Sequence, residues 1–417
     1  MEKTEIAEPL EVIAKKRYYY IDWLRIIGSI NVFLYHLLRI FDVYPYTLKN
    51  KETCASVGIV AFLLHIWNIP LVFFLAGATC KFSLLKRTKL QYVTERFKRL
   101  FIPFMVGALV LVPLQRYVEY LNQGKFIGTL SEFIPWYFAQ QYLFTKYTFD
   151  PFWLLPIGEH LWFLAALFIL SSVGIPVFTY LSKETGKKLI EQLACVVEKP
   201  GGIFIFGIAL AVIRIMLQPI YPAYSSWCDF TFWSLIMIYG YIMVSDHRFA
   251  QSANRNKYLS LLIAIVSITI LLICLALGDF MHWILYPDYS AGAILYHTLG
   301  GIITWSMLVF FLGMGTEYLD KGHKLLPMLS EAVMPFYVLN FNIMMLIGYY
   351  VVEWELPLTV KILLIILFTL SIVYSLSYLI MSGLPWLRPI FGMRSIKKKA
   401  YGGNYNKVRS KAINDCR

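Results

Sequence analysis

Ten separate runs of about twenty mostly apolar residues limit what this chain can fold into. A helix needs about 20 such residues to cross about 30 Å of hydrocarbon, and only helices or closed barrels satisfy every backbone group there. The runs lie near 20–41, 57–80, 100–121, 160–181, 202–220, 229–245, 259–277, 292–314, 332–352 and 358–381. Composition agrees. Of 417 residues, 59% are hydrophobic and 15% charged, against about 45–50% and about 25% in soluble domains. The expectation is an all-α, polytopic membrane protein with about ten transmembrane helices in the lipid bilayer, the even count placing both termini on one side.

The net charge of +13 resembles a nucleic-acid footprint, but its distribution is a topology signal. Lys15, Lys16 and Arg17 precede the first span, and Lys81 to Arg99 fill the second loop. Lys183, Lys187, Lys188 and Lys199, then Arg248, Arg255 and Lys257, then Lys321 and Lys324, occupy later even-numbered loops. Odd-numbered loops are nearly free of basic residues, so the positive-inside rule puts both termini in the cytoplasm. No nucleic-acid partner is expected. Residues 1–19 read as a cytoplasmic segment, 20–384 as the transmembrane domain and 385–417 as a basic cytoplasmic tail. The first seventeen residues lack a signal-peptide core and cleavage site, so the first span is expected to stay in the mature chain.

The segment 122–159 is rich in aromatics and proline, as expected of a lid or short helices at the outer headgroup level, or equally of an aromatic belt. Cys54 and Cys228 fall on outward loops and are positioned to pair. No CxxC or HExxH occurs, and the seven histidines show no ligand spacing, so no metal site is expected.

Charged groups within the hydrocarbon are costly unless they face a partner or a wet cavity. In the first span Arg25 and His36 are eleven residues apart, which is about three turns, so they share a face about 16 Å apart along the axis. Asp22 and Ser29 fall on the same stripe. Helix anchoring at the interface explains Arg25 equally well, and hydrogen bonding to a neighbouring helix explains His36. His65 and Asn68 share a face of the second span. Arg214 lies toward the outer half of the fifth span, placed either to hold a carboxylate or to snorkel outward.

Four motifs in order resemble the acyltransferase-3 family of membrane acyltransferases. They are Arg25-x10-His36 in the first span, PLVFFLAG from Pro70, ERFKRLFIPF with Arg96-x2-Arg99, and HLWFLAALF from His160. SEAVMPFYVLNFNI from Ser330 and LQRYVEY from Leu114 look most like the branch containing the osmoregulated periplasmic glucan succinyltransferases. The resemblance covers the chain from Tyr20 to about Ile380. It implies a bacterial cytoplasmic-membrane enzyme carrying acetyl or succinyl from a cytoplasmic acyl-CoA to a hydroxyl of an extracytoplasmic glycan, with no permanently bound cofactor. His36 is then the general base, with Arg25, lower on the same helix face, as a second catalytic residue. Arg25, Arg96 and Arg99 are the expected phosphate contacts, because guanidinium groups bind phosphate through paired, charge-assisted hydrogen bonds. His65, Asn68, His160, Trp162, Arg214 and Asn340 are the expected substrate contacts, with Arg214 suited to the free carboxylate of a succinyl group.

One position departs from the pattern. Asn340 in FYVLNF stands where that branch usually shows His, and Asn is no acid or base, although its amide can donate to an oxyanion. Two other readings therefore stand beside the enzyme: a catalytically inactive member, and an exporter of a polysaccharide or lipid-linked precursor. The absence of an internal repeat weighs against transport. Sequence leaves the acyl group, the acceptor and the oligomeric state open.

Overall fold

The structure is a computed structural model that describes residues 17–140, 151, 155–278 and 280–393, and no strand occurs among them. The N-terminal segment before Arg17, most of the basic tail, and residues 141–150 and 152–154 of the aromatic segment lie outside the described residues.

A helix stands at each of the ten expected positions. In chain order they are α1 (Tyr19–Leu38), α2 (Ala55–Leu84), α3 (Lys89–Arg96) continuing through a π-turn (Phe97–Phe101) into α4 (Ile102–Asn122), and the short α5 (Leu130–Gln140). Next come α6 (Leu155–Gly158), a 3-10 turn (Glu159–Leu161), α7 (Trp162–Val173), α8 (Ile175–Ser182) and α9 (Glu184–Glu198). Then follow α10 (Ile205–Leu217), α11 (Trp227–Met243), α12 (His247–Leu277), α13 (Phe280–Leu285), α14 (Ala291–Met314), α15 (Leu326–Val351) and α16 (Leu358–Ser382).

Seven of these segments are long and apolar enough to cross a bilayer, or eight when the pair Glu159–Val173 and Ile175–Ser182, bent by 48°, counts as one. With the bent pair counted as one, the expected spans that fall below this length are α10 and α11. With 17 residues at 1.5 Å rise, α11 extends only about 25 Å, short of the hydrocarbon thickness. The bend in the α7–α8 pair falls at Gly174 and Pro176, where proline removes a backbone donor. Two segments expected as loops are helical. The Lys183–Lys199 stretch forms α9, and α12 begins at His247, so Arg255 and Lys257 sit within it. Arg255 donates to the carbonyls of Val197, Glu198 and Lys199, tying α12 to the end of α9.

Cys54 and Cys228, which both fall on outward loops in the sequence, form no disulfide, and both thiols are free. Cys228 is buried and lies 3.3 Å from Gln218 Oε1. In the aromatic segment, Phe133, Trp136 and Tyr137 of α5 pack with Phe126 on Tyr117 and Tyr120 of α4.

One large core runs through α1, α2, α7, α11 and α14, centred on rings such as Phe73, Trp233 and Trp305. A second joins the end of α1 to α15 and α16 through Phe33, Leu37, Phe341, Met344 and Ile365. The tightest approach is between α2 and α11. A Cβ added at Gly77 would lie 1.9 Å from Met237 O, and one at Gly240 would lie 1.9 Å from Phe74 O. Membrane helices gain little from burying apolar surface against one another, so close packing of small residues holds them together. Gly240→Leu is therefore expected to abolish the monodisperse peak in fluorescence-detected size exclusion. Gly300→Ala, whose Cβ meets nothing within 4 Å, is expected to retain it.

Candidate active site

A cavity of about 460 Å³ opens among α1, α2, the α3–α4 span, α7 and α15. Its volume lies in the range of small-molecule sites. Arg25, Arg96, Arg99 and the loop residues Lys86 and Arg87 line one end, and His36, His160, Trp162 and Tyr337 line its other reaches. The eleven-residue spacing in α1 accomplishes this: Arg25, Ser29 and His36 project from one face into the same space.

At the basic end Glu95 is the acidic lining residue. It lies 2.6 Å from Arg87 Nε and 3.7 Å from Arg99 Nη1. Arg99 Nε also donates to Gly392 O at 3.1 Å. The Arg96 guanidinium lies 5.0 Å from the Tyr92 ring centroid. Arg25 sits 3.8 Å from Asp22, whose other contacts are Arg17 at 2.6 Å and the Ser330 hydroxyl at 2.9 Å. Cations outnumber carboxylates here, and the π-turn begins directly after Arg96 and carries Arg99. Such insertions recur at functional sites because they re-aim side chains within a helix.

Deeper in the cavity, the Phe341 ring meets His36 edge-on at 4.8 Å and stacks on His160 at 4.7 Å. His36 Nδ1 is 2.5 Å from the Tyr46 hydroxyl. Burial raises the Tyr46 pKa well above its ordinary value, so the partner is a neutral phenol. With Nδ1–H donating to the phenol oxygen, the lone pair that exchanges a proton with a molecule in the cavity is at Nε2. His160 is held at both nitrogens. Nδ1 pairs with Gln115 Oε1 at 2.8 Å and Nε2 with Asn342 Nδ2 at 3.3 Å, an arrangement satisfied when Nδ1 carries the proton. The carbonyl of His160 accepts from Tyr337 Oη at 2.7 Å. Its neighbour Glu159 has φ +46°, a left-handed conformation that costs a non-glycine residue about 1–2 kcal/mol. An ion pair of Glu159 with Arg116, which also holds Glu119 at 2.5 Å, retains it there.

The remaining expected contacts lie elsewhere. His65 and Arg214 line a second cavity of about 360 Å³ with Tyr224, Asp229, Trp233 and His297. Arg214 does not snorkel: it is 2.8 Å from Asp229 and 4.2 Å from the Phe232 ring centroid. Asn68 and Asn340 line neither cavity. Asn68 is buried at the α1–α2 contact, where its Oδ1 lies 3.7 Å from the Cβ position of Gly28. The Asn340 amide donates to the carbonyls of Phe336 and Tyr337 in its own helix, so its hydrogens are committed away from the cavity.

Sequence reasoning did not single out Tyr46, Gln115, Tyr337 or Asn342. Gln115 stood inside the LQRYVEY phrase and Tyr337 and Asn342 inside the α15 phrase, and a buried amide in an apolar run was the available signal. Tyr46 had none, because it approaches His36 from a loop.

These features define a polytopic helical membrane protein with an intramembrane cavity that is cationic at one end and bears imidazoles farther in. The chain belongs to the acyltransferase-3 family, described as an acyltransferase domain, which matches residues 18–381. It is 24% identical to glucans biosynthesis protein C of Salmonella schwarzengrund and of Salmonella typhi over 212 residues, 50% of this chain and 51% of each relative. The same protein of Salmonella dublin is 24% identical over 213 residues. The chain thus spans about half the length of the curated relatives it matches. No solved structure matches it.

Leaving a buried donor or acceptor without its partner costs about 1–3 kcal/mol. Gln115→Leu is therefore expected to lower the melting temperature in detergent, and an unchanged melting temperature would show that the His160 contact is not retained in the folded protein.

Proposed function

We propose that the protein is an O-acyltransferase of the bacterial cytoplasmic membrane that moves an acetyl or succinyl group from acyl-CoA to a hydroxyl of an extracytoplasmic glycan. The observation that carries this reading is the single cavity shared by Arg25, Arg96, Arg99, His36 and His160. Its cationic end lies where the positive-inside rule puts the cytoplasm, which supports entry of the donor from that side. Guanidinium forks at Arg96 and Arg99 suit the phosphates of coenzyme A. The acyl-bearing arm then runs along the α1 stripe past Arg25 and Ser29.

Transfer requires removal of the hydroxyl proton as the oxygen attacks the thioester carbonyl. His36 Nε2 takes that proton, the new C–O bond forms, the C–S bond breaks, and the imidazolium returns the proton to the departing thiolate. The Tyr46 contact holds the ring in place throughout. Arg25, nearest the path of the donor on the same helix face, stabilises negative charge along it. Coenzyme A is a substrate here, consumed and released at each turnover. The glycan acceptor is supported by the name of the relatives, which belong to glucan biosynthesis.

Release of free coenzyme A by the purified full chain, given acetyl-CoA or succinyl-CoA and glucan, tests the reading. His36→Ala is expected to lower turnover by about 10²–10⁴-fold, the usual contribution of a positioned acid–base group, with size-exclusion behaviour unchanged. Arg96→Gln is expected to raise the donor concentration for half-maximal rate by about tenfold, corresponding to about 1.4 kcal/mol. Normal transfer by folded His36→Ala protein would remove His36 from the mechanism. Tyr46→Phe is expected to reduce kcat with little change in the KM for donor, and an unchanged size-exclusion profile of the variant separates positioning from folding.

A further inference from the structure

The second cavity shares α2 and Ile69 with the first and is otherwise lined by other elements. His65 projects from the start of α2, Arg214 from the end of α10, Asp229 and Trp233 from the start of α11, and His297 from the start of α14, with Tyr224 in the loop before α11. All of these lie at the helix ends opposite the cationic mouth. Two aromatic contacts divide the cavities. Tyr35 stacks on His65 at 4.7 Å while meeting His36 at 5.2 Å, and Trp162 of the first cavity lies 5.1 Å from Trp233 and 5.7 Å from Tyr224 of the second. The imidazoles of His36 and His65 are therefore no more than about 10 Å apart across Tyr35.

We propose that this second cavity is the subsite for a neutral sugar ring of the acceptor, with Tyr224 as its stacking wall and Asp229, Arg214 and His297 as partners for its hydroxyls. The proposal rests on the reading that the acceptor is a glycan. Three observations carry it. Arg214 and Asp229 form an ion pair at 2.8 Å, so their charges cancel and the cavity gains little from an anion. The pair still presents both donors and acceptors, which adjacent hydroxyls require. The Tyr224 ring, 63% exposed and held edge-on against the buried Trp233 at 6.1 Å, gives an apolar face for the C–H surface of a pyranose beside the polar groups. Finally, His297 is buried, and its Nε2 has no hydrogen-bond partner among the described residues. An unpaired buried polar atom is costly, and a sugar hydroxyl would satisfy it. The charge balance also disfavours Arg214 as a holder of a succinyl carboxylate.

The test combines two readouts on the full chain in detergent. The first is photocrosslinking with diazirine-bearing glucose disaccharides covering the β-linkages, with the unmodified sugars as competitors. Competable adducts are expected on peptides carrying Tyr224, Trp233 or Tyr296, and are expected to fall at least tenfold in Tyr224→Ala, whose exposed side chain leaves the core intact. The second is the KM split: Tyr224→Ala and Asp229→Asn are expected to raise the acceptor KM about tenfold while leaving the donor KM unchanged. Adducts confined to the first cavity, or an unchanged acceptor KM in Tyr224→Ala, would overturn the proposal. Sugar adducts in the second cavity without acyl transfer by the wild-type chain would sink the enzymatic reading and leave the sugar site standing. Transfer without such adducts would do the reverse.

Discussion

A charge placed in hydrocarbon must be matched or wetted, and this constraint organises the fold. Away from the two cavities, matching is by opposite charge or by carbonyls. Lys257 pairs with Glu317 and Arg388 with Glu331. Lys361, 6% exposed, donates to Asn50 and to the Val352 carbonyl at 2.9 Å each. In the second cavity Arg214 is balanced by Asp229. At the mouth of the first cavity the lining cations outnumber the lining carboxylate. Arg25, Lys86, Arg87, Arg96 and Arg99 share a space in which Glu95 is the acidic lining residue. An excess of cation at the mouth of an apolar-walled cavity favours a polyanionic ligand that enters from that side.

The interior of that cavity changes character along α1. Cationic groups give way to Ser29 and then to His36 and His160, both set against Phe341. His160 is fixed by partners from α4 and α15, and its backbone is anchored by Tyr337. This rigidity distinguishes it from His36, whose side-chain hydrogen bond is to the Tyr46 hydroxyl. The strained Glu159 beside His160 is retained by its ion pair with Arg116, consistent with strain stored next to a functional group.

Much of the architecture was legible in the sequence because the bilayer imposes a length on each element. All ten apolar runs became helices, and the Arg25 to His36 stripe follows from helical periodicity alone. Other features escaped because they depend on contacts between distant segments. The shortness of α10 is set where its ends turn, at Phe204 and Gln218, inside the apolar run 202–220. Gln115 and His160 meet across 45 residues, and Asn342 and His160 across 182, separations no local pattern encodes. His65 and Arg214, on different helices, meet in a second cavity. Two cavities exist because Tyr35 and Trp162 fill the space between them. The Asn340 departure has a local explanation, since its amide is absorbed by carbonyls of its own helix.

The account turns on one ligand pose. An electron cryomicroscopy map of the full chain in nanodiscs with bound acetyl-CoA should show the phosphates between Arg96 and Arg99, with the thioester extending past Arg25 toward His36. Density for the donor outside this cavity, or a thioester directed away from the imidazole, would contradict it.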